Sequence, residues 1–173
     1  MKRAGEIFSN HVESEDEREE FLKYAYLLDS SIRQLEEQFI SIAEIESITS
    51  GACMVCSLFL NGVLVTATVG DCGAVLIDSK NNIVEISRPH RSSFKKERGR
   101  IEEAGGYVRG NRVFGRLQPS RTLGDLDSKE LHDGVVIAVG DITVTPILSD
   151  PTTEQEYEPL LIMGTDGVVD ILS

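Results

Sequence analysis

The feature that most constrains the fold is a change of hydrophobic period near Ser47. Before it, Phe21, Leu22, Ala25, Leu28, Ile32, Leu35 and Phe39 recur at spacings of three and four, as on the apolar stripe of an α-helix. The spacing predicts a helix over Glu13 to Ile42. Ser14 followed by Glu17 fits a capping box, and the acidic run Glu15 to Glu20 lies mostly at the end that the helix dipole favours. That run reads first as a helix start and solvated face, with a partner-binding patch as the alternative. After Ser47 the pattern is β-rich. Ala52 to Phe59 and Gly62 to Val69 flank Asn61-Gly62, a strong short-range hairpin signal. One long helix followed by short strands predicts a mixed α/β domain.

Farther along, Ala74 to Ile77 and Ile83 to Ile86 read as strands joined through Lys80-Asn81-Asn82, which extends the hairpin into an antiparallel meander. Its blurred alternation implies burial on both faces in places. Ser92 to Ala104 reads as a second helix with Phe94, Ile101 and Ala104 inward, stopped by Gly105-Gly106. Short extended pieces follow at Tyr107 to Val108 and Arg112 to Phe114, then an apolar run from Val135 to Val139. Ser149 to Pro159 looks like a surface loop. Leu160 to Met163 is expected to be a last core strand, with Val168 to Leu172 beginning a helix or another buried element.

At 173 residues, 40% hydrophobic and 27% charged, the chain suits one globular domain. A net charge of -12 disfavours unassisted contact with nucleic acid or anionic lipid, so neither is an expected partner. One segment runs against that balance: Arg88, Arg91, Lys95, Lys96, Arg98 and Arg100 leave room for a local anion site. The three cysteines, Cys53, Cys56 and Cys72, make no disulfide framework. Cys53 and Cys56 sit three apart in a predicted strand and so point to opposite faces, which disfavours zinc or redox chemistry. No apolar stretch precedes the acidic run, so no signal peptide or membrane span is expected.

The chemistry-bearing residues are aspartates. Asp71 follows the strand ending at Val69-Gly70, and Asp166 follows Leu160-Leu161-Ile162-Met163 by a short turn. Carboxylates delivered from strand ends to one edge suit a hard cation such as magnesium or manganese. Asp170, four residues after Asp166, falls on the same face of a helical turn. The competing reading is that these are turn and cap residues, because Gly-Asp and Asp-Gly are common turn dipeptides. Cys72 beside Asp71 is a poor nucleophile, and His90 and His132 look like isolated loop residues. Gly115 to Asp125 packs Arg116, Pro119, Arg121 and Asp125 into a specified loop. There Arg121 orients Asp125 or meets an anion, or else forms a bracing ion pair.

In order, these segments resemble the PP2C (PPM) family of metal-dependent serine/threonine protein phosphatases. The match runs through Gly51-Ala52, Val69-Gly70-Asp71-Cys72-Gly73-Ala74-Val75-Leu76, Pro89-His90, Glu97 and Arg100-Ile101 with Ala104-Gly105-Gly106, Gly115, Leu117 and Ser120-Arg121-Thr122-Leu123-Gly124-Asp125, and Thr165-Asp166-Gly167-Val168-Val169-Asp170. The resemblance implies an α+β fold, a layered sandwich of antiparallel β-sheets flanked by helices, with divalent metals activating a water against a phosphomonoester. It implies Asp166 as a metal-bridging ligand, Asp71 and Asp170 as carboxylates of a further, weaker metal, and His11 as the general acid.

Ile7-Phe8-Ser9-Asn10-His11 departs from the family's Val-Phe-Asp-Gly-His: Ser9 stands where an aspartate should bridge the metals, and Asn10 replaces a glycine. A neutral hydroxyl matches neither the charge nor the reach of a bridging carboxylate, so weak or absent Mg2+ or Mn2+ binding is expected. Residues 1–173 are expected to form a single partial domain, incomplete at both ends, in the cytoplasm or nucleus. Three functions follow: an impaired phosphatase homologue that binds a phosphoprotein or regulatory protein, an active metal-dependent phosphatase, or a non-functional fragment. Completion of the fold by another chain is part of the expectation.

Overall fold

The structure is a computed structural model that describes residues 6–8, 14–147 and 158–172. In chain order the elements are β1 (Glu6–Phe8), α1 (Glu15–Glu46), β2 (Gly51–Ala52), β3 (Met54–Leu60), β4 (Val63–Val69), β5 (Gly73–Ile77), β6 (Ile83–Glu85) and α2 (Lys95–Glu103). They continue with β7 (Val108–Arg109), β8 (Arg112–Val113), β9 (Leu123–Gly124), α3 (Leu126–Glu130), β10 (Asp141–Pro146), β11 (Leu160–Gly164) and α4 (Asp166–Leu172). The result is a mixed α+β fold built on antiparallel sheets with helices against them.

The long helix forms as its sequence dictates. The Ser14 hydroxyl accepts from the Glu17 N–H while the Glu17 carboxylate accepts from the Ser14 N–H, both at 3.2 Å, closing the capping box. The buried positions are Phe21, Leu28, Ile32, Glu36 and Ala43, so the inward stripe differs from the predicted one. Leu35 is 47% exposed and Glu36 is buried in its stead. The Glu36 carboxylate is compensated, accepting from the Gly124 N–H at 2.9 Å and pairing with Lys129. A buried, bonded glutamate carries no hydrophobic signal, and so the stripe was drawn through the leucine beside it.

Asn61 and Gly62 take φ of 45° and 80°, the doubly left-handed turn that an Asn-Gly hairpin requires. They join β3 to β4 antiparallel, with Leu60 opposite Val63 and Met54 opposite Val69. Every residue of β4 is buried. Val63, Val65, Ala67 and Val69 pack with Phe21, Leu28 and Ile32 of α1, whereas Leu64 packs with Ala74, Leu76 and Ile86. The two faces of one strand therefore bind the helix layer and a second sheet, which explains the blurred alternation.

The expected meander is divided between two sheets. One has the order β1-β10-β4-β3 and the other β11-β5-β6. Gly70, at φ +96°, breaks the path after β4, and a Cβ there would meet Cys53 Sγ at 2.2 Å. The chain turns at Gly70-Asp71-Cys72 and starts β5 in the other layer. The sequence reading also passed over β10, whose alternating Ile142, Thr143, Val144 and Thr145 lie beside β4. The apolar run Val135 to Val139 forms no strand. There only Ile137 makes a bridge, to Arg121, while Val135 and Val136 pack on Ile101 and Val113.

Helix α2 ends as expected, with Gly105 at φ +86° and the Gly106 N–H donating to the Ile101 carbonyl at 2.9 Å. Ile101 is fully buried, but Phe94 is 46% exposed and serves as the N-cap rather than as core. Among the described residues strand β11 pairs only with β5, at the sheet edge, and leaves Leu160, Ile162 and Met163 exposed, so it is no core strand. The segment read as a surface loop lies mostly outside the described residues. Among the described residues no helix is long and apolar enough to cross a membrane.

Candidate functional site

Sheet register brings the aspartates together. In the β5–β11 ladder Gly73 stands opposite Gly164, so β5 begins where β11 ends. Asp71, two residues before the ladder, and Asp166, two residues after it, emerge at the same edge. Asp166 opens α4, accepting from the Gly167 N–H at 2.8 Å, and Asp170 sits one helical turn on. Two short strands from distant parts of the chain thus deliver three carboxylates to one place.

A guanidinium occupies the space among them. Arg91 is ion-paired to Asp170 through Nη2, and its Nε lies 3.9 Å from Asp71 Oδ2. The hydrogen bond to Asp170, followed by the charges of Asp71 and Asp166, raises the Arg91 pKa against the opposing effect of burial. Asp71 itself is 5% exposed. Its Oδ1 accepts from the Cys53 thiol at 3.2 Å, so both oxygens have a neighbour that is not a metal. Burial first, and then Asp71, push the Cys53 thiol up to about 12. Burial and the same aspartate raise Cys72, so neither thiol is a nucleophile at neutral pH. Cys53 precedes β3 rather than lying within the strand, which is how its thiol reaches Asp71.

A buried network behind this edge holds the Asp71 turn. The Gly70 N–H donates to His90 Nδ1 at 3.2 Å, which leaves the proton of a neutral ring on Nε2, facing Asp141 Oδ2 at 3.3 Å. Asp141 Oδ1 accepts from Arg121 Nη1 at 3.1 Å. Arg121 then forks onto Glu97, with Nη2 to Oε1 at 2.5 Å and Nε to Oε2 at 3.1 Å. Glu97 Oε2 also accepts from Ser120 Oγ at 2.7 Å and Arg100 Nε at 3.1 Å. Burial alone would raise both carboxyls. Arg121, Ser120 and Arg100 outweigh it at Glu97, and His90 and Arg121 do so at Asp141, holding each at about 2.

Beyond an ion pair at Arg121, the sequence does not point to this network. His90 is 2% exposed and central to it, not an isolated loop residue, and Glu97 and Asp141 were not singled out for it. The available signal was Glu97, a carboxylate on the inward face of a short helix beside Ile101. Arg121 faces Glu97 and Asp141, not Asp125. Asp125 adopts left-handed backbone at φ 52° ahead of α3, and burial raises its carboxyl. Ser9, Asn10 and His11 lie outside the described residues. Strand β1 before them runs parallel to β10, which sets Phe8 level with Val144.

Three carboxylates at one edge have the right chemistry for a divalent metal, but a fixed cation sits among them and a thiol is bonded to one. Among the described residues no group of three or more His, Cys, Asp and Glu side chains is arranged to hold an ion. In this arrangement they do not fit one.

Comparison with known proteins places the chain in a family. Residues 2–173 match the family model described as protein phosphatase 2C. The chain belongs to that family. It is similar to probable protein phosphatase 2C 43 of Arabidopsis thaliana, 35% identical over 153 residues that make up 84% of this chain and 35% of the relative. Protein phosphatase 1L of Bos taurus is 29% identical across 99% of this chain and 47% of its own length. The chain thus spans between about a third and a half of these two relatives. Among solved structures, a C. elegans sex determining protein superposes with a TM-score of 0.68 at 25% identity, covering 83% of this chain and 34% of that one. A serine-threonine phosphatase 2C from Toxoplasma gondii gives 0.73 over 95% of this chain and 57% of that one, at 19% identity, a likeness of fold.

Proposed function

We propose that this chain is a protein phosphatase 2C homologue whose metal centre is impaired and whose function is to bind a phosphoprotein or regulatory protein. The observation that carries the reading is Arg91, which neutralises Asp170 and faces Asp71 where a divalent ion would need those oxygens. Two unit charges about 4 Å apart interact by about 4 kcal/mol at an effective dielectric near 20. A divalent ion entering beside the guanidinium meets repulsion of at least that order and must also displace an ion pair. Ser9 supports the same reading from the sequence, since a hydroxyl replaces the carboxylate that would bridge two metals.

The bracing network is intact under this reading, and that is consistent with a retained scaffold. His90, Arg121, Glu97 and Asp141 hold the turn carrying Asp71 without contributing to hydrolysis themselves. The expected result is no turnover above blank on an aryl phosphate or a phosphothreonine peptide with manganese present. Metal-dependent turnover that disappears in Asp166→Asn would instead establish an active phosphatase. Broad, poorly dispersed amide resonances would point to a fragment that does not fold.

A further inference from the structure

The acidic balance of this chain is not uniform. Residues 88–116 hold nine of its seventeen Lys and Arg but only three of its twenty-nine Asp and Glu, a local balance of +6 that leaves -18 for the remainder. The fold gathers this segment into one unit. The Ser92 hydroxyl donates to the Asn111 carbonyl at 2.6 Å, setting the start of α2 beside the tip of the β7–β8 hairpin. Beneath them Ile101 packs with Val113, Val135 and Val136.

Two of the charges are turned inward: Arg100 to Glu97 and nearby carbonyls, and Glu97 to Arg121. Arg91 goes to the aspartate edge. Arg98 is half-buried, and Arg88, Lys95, Lys96, Arg109, Arg112 and Arg116 remain exposed.

Their placement works against local stability in two independent ways. Lys95 and Lys96 begin α2 and Glu102 and Glu103 finish it, against the helix dipole, although the inward-turned Glu97 and Arg100 lie with it, and Phe94 supplies no side-chain cap. On the hairpin, Arg109 and Arg112 are direct cross-strand partners, a like-charge pairing that destabilises a β-ribbon. Neither arrangement is explained by folding, and both put exposed cations on elements that lie side by side. Phe94 and Tyr107, about half exposed, lie in the same segment.

We infer that the surface formed by the start of α2 and the β7–β8 hairpin docks an acidic protein segment, rich in Asp and Glu. An acidic segment of modest length fits better than nucleic acid, whose continuous run of phosphates would extend past this unit onto a surface carrying -18. This inference rests on the reading that the chain acts by binding. It is tested separately, in an assay that contains neither metal nor phosphomonoester.

The test is fluorescence anisotropy of the full chain with a labelled Asp/Glu-rich peptide, its Asn/Gln counterpart, and a single-stranded oligonucleotide of equal charge. Binding of the acidic peptide alone is expected, weakened about tenfold or more by salt on the order of 0.5 M. Arg109→Gln with Arg112→Gln should weaken it to a similar degree while leaving the thermal midpoint unchanged or raised, because the substitution relieves a repulsion. Three results overturn the proposal: no binding of the acidic peptide, equal binding by the double variant, or oligonucleotide binding as tight as that of the peptide.

Discussion

Arg121→Ala is expected to cost about 3–5 kcal/mol of stability, because it removes the guanidinium shared by two buried carboxylates, leaving Glu97 to Arg100 and Ser120 and Asp141 to His90. Arg121 is 5% exposed, Glu97 3% and Asp141 8%, so water cannot replace the lost guanidinium. Against a domain stability of roughly 5–15 kcal/mol, that loss leaves a substantial unfolded population. The same network fixes a pH dependence. Glu97 and Asp141 have folded values depressed to about 2 from ordinary values of 4.5 and 3.8. A depressed carboxyl stabilises the fold above its unfolded pKa and loses that contribution as pH falls through the folded one. Stability should therefore be flat down to about pH 5 and fall steeply toward pH 2. Urea midpoints at several pH values test both statements. An unchanged midpoint in Arg121→Ala would mean that the network does not brace the Asp71 turn.

Arg91→Gln is expected to act in the opposite sense on the candidate metal edge, raising manganese affinity by about tenfold or more. The substitution removes the cation but keeps a polar side chain, taking away the Arg91 ion pair at Asp170 and the positive charge beside Asp71. Tenfold corresponds to only about 1.4 kcal/mol, well below the Coulomb repulsion estimated above. Arg91→Lys keeps the charge and should resemble the native chain, which separates electrostatics from packing. Calorimetric titration of the three proteins gives the comparison. Equal affinities in all three would remove Arg91 as the obstacle.

The helices, the Asn-Gly hairpin and the strand ends carrying Asp71 and Asp166 were legible because each rests on local chemistry: a capping box, a left-handed turn, an apolar run broken by glycine. What was not legible depends on partners distant in sequence. β10 escaped because its alternation is half threonine. The meander was drawn as one sheet because nothing local marks Gly70 as a change of layer; the reason is Cys53, seventeen residues earlier, pressed against it. Glu36, His90, Glu97 and Asp141 look like surface residues until Gly124, Gly70 and Arg121 are placed against them. The same limit applies to the site. That Asp71, Asp166 and Asp170 could share an edge followed from strand ends and a helical turn, whereas nothing in Pro89-His90, the pair that precedes Arg91 in the loop after β6, directs its guanidinium into their midst.

The account's central claim is that the aspartate edge no longer forms a working metal centre, and calorimetric titration of the purified native chain with manganese tests it most directly. Binding on the order of millimolar, or none, is the predicted result. Two ions bound at micromolar concentration would contradict it.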